Sequence, residues 1–138
     1  WVETTYADGT PMVLAGGYPE IQSGTTWIGE YGWVWVDRGG LESQPAHLVN
    51  EVVGPNEIRL YRSRDHWQDF LDSVRSRALT IAPAEVAHRS ASVGHLGVIA
   101  IETGRTIKWD PAAEAIIGDP AAERLLSRSY RKPYQLPV

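Results

Sequence analysis

Histidines are the side chains in this sequence that suit acid–base chemistry near neutral pH. His88 and His95 lie seven residues apart in one helix-like stretch, and His66 follows Asp65 and precedes Asp69 by three residues. Seven helical residues span roughly 10 Å, so one metal ion with ligands at ~2 Å cannot take both His88 and His95. We therefore treat His66, His88 and His95 as candidate polar-site residues and expect no metal site. Packing or surface roles remain the alternative.

Other catalytic motifs are missing from the sequence. Gly16-Gly17 and Gly39-Gly40 are isolated pairs without the G-x-G-x-x-G spacing of a phosphate-binding loop. No G-x-S-x-G elbow surrounds a serine. The chain has no cysteine, which excludes thiolate metal sites and cysteine nucleophiles. The residues alone therefore define no complete active site.

Six tryptophans against a single phenylalanine are the most distinctive feature of the composition. Trp27, Trp33 and Trp35 fall in neighbouring strand-like segments, with Tyr31 in the turn between them. Clustered aromatic side chains on a sheet bind sugars or protein partners, or they form ordinary core beneath helices. We take Trp27, Tyr31, Trp33 and Trp35 as the candidate interface or ligand face, and the core alternative stays open.

The overall composition limits the classes of protein that remain. The 138 residues carry a net charge of −4 with a pI near 5.5, and this length predicts one domain. The acidic balance argues against a nucleic-acid partner. No apolar run approaches the ~18 residues that span a membrane, so no membrane partner is expected. A chain without thiols suits either redox compartment, so the compartment stays open, with the cytoplasm favoured.

The first third of the chain has the composition of β-strands. Alternating and β-branched residues predict strands over 1–6, 12–15, 25–29 and 33–37, with a further short strand over 58–61. Residues 41–57 contain Pro45, Gly54 and Pro55 and are expected to be irregular.

The rest of the chain predicts helices. Apolar spacing indicates helices over 65–77 and 83–103, the second ending at Gly104 and burying Val86, Val93, Leu96 and Ala100. Asp-Pro-Ala-Ala-Glu occurs at 110–114 and again at 119–123, which predicts two short helix starts. Residues 128–138 are expected to lie extended over the surface. Strands followed by helices predict an α+β fold, with a mostly antiparallel open sheet and helices packed on one face.

The second half of the chain carries an ordered set of short motifs, and the pattern resembles the C-terminal end of the Gfo/Idh/MocA oxidoreductases. The resemblance is strongest to a bacterial branch with a WDP…GD…LL-R tail. Residues 66–77 and 25–41 are similar to a helix and a strand pair of that branch, so the resemblance covers nearly the whole chain. The residues that carry it in the second half are His88, Arg89, Ser90, His95, Leu96, Gly97, Gly104, Arg105, Lys108, Trp109, Asp110, Pro111, Gly118, Asp119, Leu125, Leu126, Arg128, Arg131 and Pro133.

The resemblance implies that residues 1–138 are the C-terminal domain of an NAD(P)-dependent oxidoreductase acting on sugars or similar polyols. Such enzymes have an N-terminal Rossmann domain. The open sheet of their C-terminal domain lines the substrate site and commonly forms the oligomer contact. The implied partners are therefore that Rossmann domain and further copies of this chain, which would form a homo-oligomer through the sheet face.

The chain departs from the whole-protein pattern of that family. It lacks G-x-G-x-x-G, the Glu-Lys-Pro that carries the family's lysine, and the family's Asp/His motif; Lys108 and Lys132 are its only lysines. We therefore assign no catalytic or cofactor-binding residue within it and expect NAD(P) to be bound by the full-length protein alone. Two alternatives stay open: a free-standing carbohydrate-binding module that uses the aromatic face, and a purely oligomer-forming domain.

Overall fold

The structure, a computed structural model, describes residues 1–59 and 61–134 of the chain. Its α+β class and antiparallel strand pairing confirm the predicted fold class. No helix in these two ranges is both long and apolar enough to cross a lipid bilayer.

The elements in chain order are β1 (Val2–Thr5), β2 (Pro11–Leu14), β3 (Thr25–Gly29), β4 (Gly32–Asp37), β5 (Gly40–Gln44), α1 (His66–Ser76), α2 (Ala84–Thr103), β6 (Trp109–Asp110), β7 (Ala115–Ile116) and α3 (Pro120–Glu123).

The chain divides into two compact units, which are described separately. The helix unit comprises Trp1–Leu14 and Ala84–Val138, and the sheet unit comprises Ala15–Pro83. The described strands form three antiparallel sheets, ordered β1-β2, β3-β4-β5 and β6-β7. This division into compact units does not test the expectation that residues 1–138 form one domain, which stays a prediction.

The sheet unit contains a strand that the sequence analysis missed. β5 pairs with β4 along its length, from Asp37 opposite Gly40 to Trp33 opposite Gln44. Its sequence, Gly-Leu-Glu-Ser-Gln, has little β-propensity, so the hydrogen bonds of the neighbouring strand and a two-residue turn decide its conformation. The strand predicted over 58–61 is wrong: Ile58, Arg59 and Tyr61 have no strand conformation, and Leu60 lies outside the described residues.

Trp35 on β4 is the one buried hydrophobic side chain among the described residues of the sheet unit, with 9% of its surface exposed. Its indole Nε1 donates a hydrogen bond of 2.8 Å to the carbonyl oxygen of Ser23. Two glycines leave room for the ring: a β-carbon on Gly24 would lie 2.8 Å from Nε1, and one on Gly40 would lie 3.3 Å from Cζ3. Trp35 therefore forms the local core that the sequence analysis kept as an alternative.

Helix α1 is defined by its two ends. The carboxylate of Asp65 caps the N-terminus by accepting a hydrogen bond of 2.7 Å from the backbone N–H of Gln68. Arg77 ends the helix in the left-handed conformation at φ 61°. These caps confirm the predicted helix over 65–77.

Helix α2 contributes Ile99 and Leu96 to the core of the helix unit. Ile99 packs with Ile116 and Ala122, and the partly buried side chains around this cluster are Leu96, Ile107 and Trp109. The predicted buried stripe is correct for Leu96, Val93 and Ala100, which are partly buried, and wrong for Val86, which is exposed. Val86 lies in the first turn of α2, before the helix reaches this cluster.

The two Asp-Pro-Ala-Ala-Glu copies fold differently. The copy at 119–123 starts α3, with the Asp119 carboxylate capping the helix as predicted. The copy at 110–114 is a turn between β6 and β7, so the prediction of a helix start there is wrong. The difference lies in the last residue: Glu114 has φ 51° and reverses the chain, whereas Glu123 stays helical at φ −55°. Residues 127–134 contain no strand or helix, and the remainder of the predicted surface tail lies outside the described residues.

Candidate functional site

A pocket of about 430 Å³ lies in the helix unit along one edge of α2. Five of the helix residues that line it form a stripe with spacings of three and four residues, which places them above one another on one face, and Leu96 and Val98 line it beside this stripe. Three residues of the chain after α3 form the opposite wall. The helix stripe comprises His88, Ser92, His95, Ile99 and Glu102, and the opposite wall comprises Leu125, Leu126 and Arg128.

The structure brings two of the three candidate histidines into this pocket. His88 Nε2 lies 2.8 Å from Glu114 Oε1, so the turn between β6 and β7 holds the ring at one end of the pocket. The Ser92 hydroxyl donates a hydrogen bond of 2.9 Å to the carbonyl oxygen of His88. His95 lies one helical turn farther along the same wall. Sequence spacing placed His88 and His95 on one face, and the tertiary structure makes that face a pocket wall.

Within the part of the chain that the structure describes, three polar side chains of the pocket lack a partner in the helix unit. In the described part of the chain, His95, Glu102 and Arg128 form no side-chain hydrogen bond and no ion pair within the helix unit. Sequence analysis did not single out Glu102 or Arg128 as site residues. The seven-residue spacing His88, His95, Glu102 could have indicated Glu102, whereas Arg128 carries no such local signal.

Arg89 joins helix α2 to the turn between β6 and β7. Its Nε donates a hydrogen bond of 2.8 Å to Glu85 Oε1, and its guanidinium also donates to the carbonyl oxygen of Pro111 at 2.5 Å. The hydrogen bond to Glu85, with its negative charge, raises the pKa of Arg89 above its usual value. The contact with Pro111 fastens the turn between β6 and β7 to α2, and that turn carries the Glu114 that holds His88.

A second groove of about 880 Å³ lies in the helix unit between β1 and α2. Its floor is largely apolar, with Val93 and Ala100 from α2, and Trp109 lies on its rim. The strand and the helix approach most closely where a β-carbon on Gly97 would lie 3.5 Å from Val2 Cγ2. None of the candidate histidines lines this groove.

His66 lies in the sheet unit and does not belong to the pocket. Its ring centroid is 4.9 Å from that of Trp67. The neighbouring carboxylate of Asp69 accepts hydrogen bonds from the Tyr61 hydroxyl at 2.8 Å and from the Ile81 backbone N–H at 3.1 Å. Partial loss of solvent contact, together with Asp69, raises the pKa of Tyr61 to about 12. Asp69 therefore fixes the chain around α1 and is not an acid–base partner of His66.

The four candidate aromatic residues do not share one face of the sheet. Trp27 lies opposite Val34, whereas Ile28 lies opposite Trp33 and Thr26 opposite Trp35. Directly opposed residues of an antiparallel pair share a face, so Trp27 projects to the side away from Trp33 and Trp35. Tyr31 is exposed in the turn between β3 and β4. The candidate interface or ligand residues therefore lie on both sides of the sheet, a register that residue spacing could not supply, and their role stays a prediction.

The described residues lack the features that bind a metal ion or a dinucleotide. They contain no group of three or more His, Asp or Glu side chains placed to hold a metal ion. A dinucleotide pyrophosphate needs a glycine-rich turn and a free helix N-terminus. The N-termini of α1 and α3 are instead occupied by the carboxylates of Asp65 and Asp119, and residues 78–83, directly before α2, contain no glycine. The described residues therefore do not fit a nicotinamide dinucleotide in that manner.

Fold and site together define an α+β chain with a pocket of small-molecule size and no phosphate loop of the dinucleotide-binding type. The chain belongs to the Gfo/Idh/MocA oxidoreductase family, because the family model described as "Oxidoreductase family, C-terminal alpha/beta domain" matches residues 1–136. This match confirms the resemblance stated above. Neither the curated proteins nor the solved structures give a significant match to the chain.

Proposed function

We propose that this chain is the substrate-enclosing and oligomer-forming domain of an NAD(P)-dependent oxidoreductase that acts on a sugar or polyol. A separate Rossmann domain would bind the nucleotide and supply the catalytic residues. The observation that carries the proposal is the α2 pocket, with its unpartnered polar side chains, in a chain whose family match spans residues 1–136.

The pocket has the chemistry that a polyol requires. The carboxylate of Glu102 can accept hydrogen bonds from hydroxyl groups, and the guanidinium of Arg128 can donate them. The imidazole of His95 can accept or donate. Leu125 and Leu126 form an apolar wall against which the C–H groups of a sugar can pack. Its volume of about 430 Å³ is within the usual range of small-molecule sites.

Ligand titration tests the substrate role. The 138-residue chain is titrated with myo-inositol, D-glucose, NADH and NADPH, and binding is followed by the NMR signals of the histidine rings. We expect a polyol to shift the His95 signal, with weaker binding after His95→Ala and unchanged binding after His66→Ala. Micromolar binding of NADH or NADPH, or the absence of any polyol response, would contradict the proposal.

The proposed oligomer contact rests on the sheet unit. Trp27 on β3 and Leu41 on β5 lie on the same face of the sheet, and 59% and 54% of their surfaces are exposed. A second copy of the chain would remove these apolar side chains from water, which favours association by about 25 cal/mol per Å² of apolar surface buried.

Light scattering tests the oligomer contact. The chain is expected to form a dimer or larger homo-oligomer, and Trp27→Ser together with Leu41→Ser is expected to lower the mass to that of a monomer. Val52→Ser, at another exposed apolar position of the sheet unit, is the control and should leave the mass unchanged. A wild-type chain that is monomeric at 100 μM would refute this part of the proposal.

A further inference from the structure

Two arginines of the helix unit, Arg89 and Arg105, pair with carboxylates of the chain, whereas the described residues of this unit give Arg124, Arg128 and Arg131 no ion pair. Of these three, Arg128 is the one that lines the α2 pocket. Arg89 Nε lies 2.8 Å from Glu85, and Arg105 Nε lies 2.7 Å from Asp119. Arg128 lines the α2 pocket, and within the described residues of this unit no carboxylate oxygen lies at ion-pair distance from it. Its guanidinium therefore retains its full hydrogen-bonding capacity for a ligand.

The position of Glu102 is a second, independent observation. Glu102 stands in the last turn of α2, where the helix dipole disfavours a negative charge, and that turn contains no basic residue to offset it. Glu102 lines the same pocket as Arg128, yet no ion pair joins the two. The exposed carboxylate of Glu102 is therefore available to the hydroxyl groups of a ligand in the pocket.

We infer that the α2 pocket binds a hydroxylated carboxylic acid, such as a sugar acid, with Arg128 as the anchor for its carboxylate. This inference rests on the proposed function and narrows its substrate class. A guanidinium presents paired donors that match the two oxygens of a carboxylate. Glu102 repels the ligand carboxylate and accepts hydrogen bonds from hydroxyls, so the two charges together fix the orientation of the ligand.

The charge of the pocket favours a carboxylate over a phosphate ester. Arg128 is the one arginine among the residues that line the pocket, and Glu102 offsets its charge. A phosphate ester carries close to two negative charges at neutral pH, which one guanidinium does not balance and which Glu102 repels more strongly than it repels the single charge of a carboxylate. A singly charged carboxylate needs one guanidinium alone. The remaining wall, Leu125 and Leu126, is apolar and suits the carbon skeleton of the ligand.

Three ligands that share the glucose ring and differ at carbon 6 test the inference. D-glucuronate, D-glucose and D-glucose 6-phosphate are titrated into the 138-residue chain at equal ionic strength, with dissociation constants taken from NMR shifts. We expect glucuronate to bind at least tenfold more tightly than glucose or glucose 6-phosphate. Arg128→Gln should abolish this preference, Arg128→Lys should retain part of it, and Arg131→Gln, outside the pocket, should leave it unchanged. Glu102→Gln should weaken binding of glucose, because a carboxylate is the stronger hydrogen-bond acceptor, and should increase the preference for glucuronate, because the repulsion of its carboxylate is removed.

Each outcome separates the inference from the proposed function. Equal affinity for glucuronate and glucose would overturn the carboxylate anchor and leave the polyol role intact, and tighter binding of glucose 6-phosphate would do the same. Failure to bind any of the three sugars would overturn both. Circular dichroism of each variant shows that it is folded, and Arg128→Lys keeps the test decisive if Arg128→Gln does not fold.

Discussion

Arg105 and Asp119 form a two-point contact that joins the end of α2 to the start of α3. Arg105 Nε donates to Asp119 Oδ2 at 2.7 Å and Nη2 donates to Oδ1 at 3.1 Å. Oδ1 also accepts from the backbone N–H groups of Ala121 and Ala122 at 3.2 and 3.0 Å. The hydrogen bond from Ala122, followed by Arg105, holds the pKa of Asp119 below its usual value. One carboxylate thus caps a helix and fastens the chain that leads to the pocket wall.

This contact predicts an acid-sensitive contribution to stability. Because the pKa of Asp119 is lower in the folded chain than its ordinary value of 3.8, its contribution is complete above that value and is lost as the pH falls through the folded pKa. We expect urea midpoints to fall more steeply below pH 4 for the wild type than for Asp119→Asn. Asp72→Asn, in an exposed ion pair of the sheet unit, is the control, and equal slopes for wild type and Asp119→Asn would contradict the prediction.

The two copies of Asp-Pro-Ala-Ala-Glu are predicted to respond differently when their glutamate is replaced by glycine. Glu114→Gly removes a left-handed residue that costs roughly 1 kcal/mol and loses an exposed contact to His88 worth up to about 1 kcal/mol. We therefore expect almost no change in the free energy of unfolding. Glu123→Gly loses helix propensity and the hydrogen bond of 2.5 Å from the Ile116 N–H, so a loss of at least about 1 kcal/mol is expected. Equal effects in urea denaturation would show that the copies do not differ as described.

Gly32 begins β4 in a conformation that other residues avoid. Its φ is 145°, and a β-carbon there would clash with the carbonyl oxygen of Gln44 and lie 2.8 Å from Pro45 Cδ. Gly32→Ala should therefore lower the free energy of unfolding by at least about 2 kcal/mol. The control is Gly39→Ala, where a β-carbon meets no atom within 4 Å. A change at Gly32 no larger than at Gly39 would refute the strand register.

Trp35 and Trp27 are predicted to differ sharply in their contribution to stability. Trp35→Ala empties the core of the sheet unit and should cost about 3–5 kcal/mol in urea denaturation. Trp27→Ala removes a largely exposed indole and should change stability by about 0.5 kcal/mol or less. The reverse order would mean that the packing around Ser23 and Gly24 does not hold the Trp35 ring.

Patterns within a few residues predicted much of the secondary structure. Asp65 and Asp119 have side chains that cap a helix within the next three residues, and Gly104 ends α2 because it adopts φ 63° without strain. β5 could not be predicted in this way. Its residues are extended because β4 pairs with them, and that pairing depends on the turn at Arg38 and Gly39.

By itself, the sequence determined the α+β class, the caps of α1 and α3, the shared face of His88 and His95, and the family. Each depends on residue types at short or fixed spacing along the chain. Tertiary structure alone decided which indole is buried, which copy of the repeated pentapeptide becomes a helix, and that Arg128 and Glu102 line the same pocket. These outcomes depend on strand register and on contacts between residues distant in the chain, where packing and hydrogen bonding outweigh local preference.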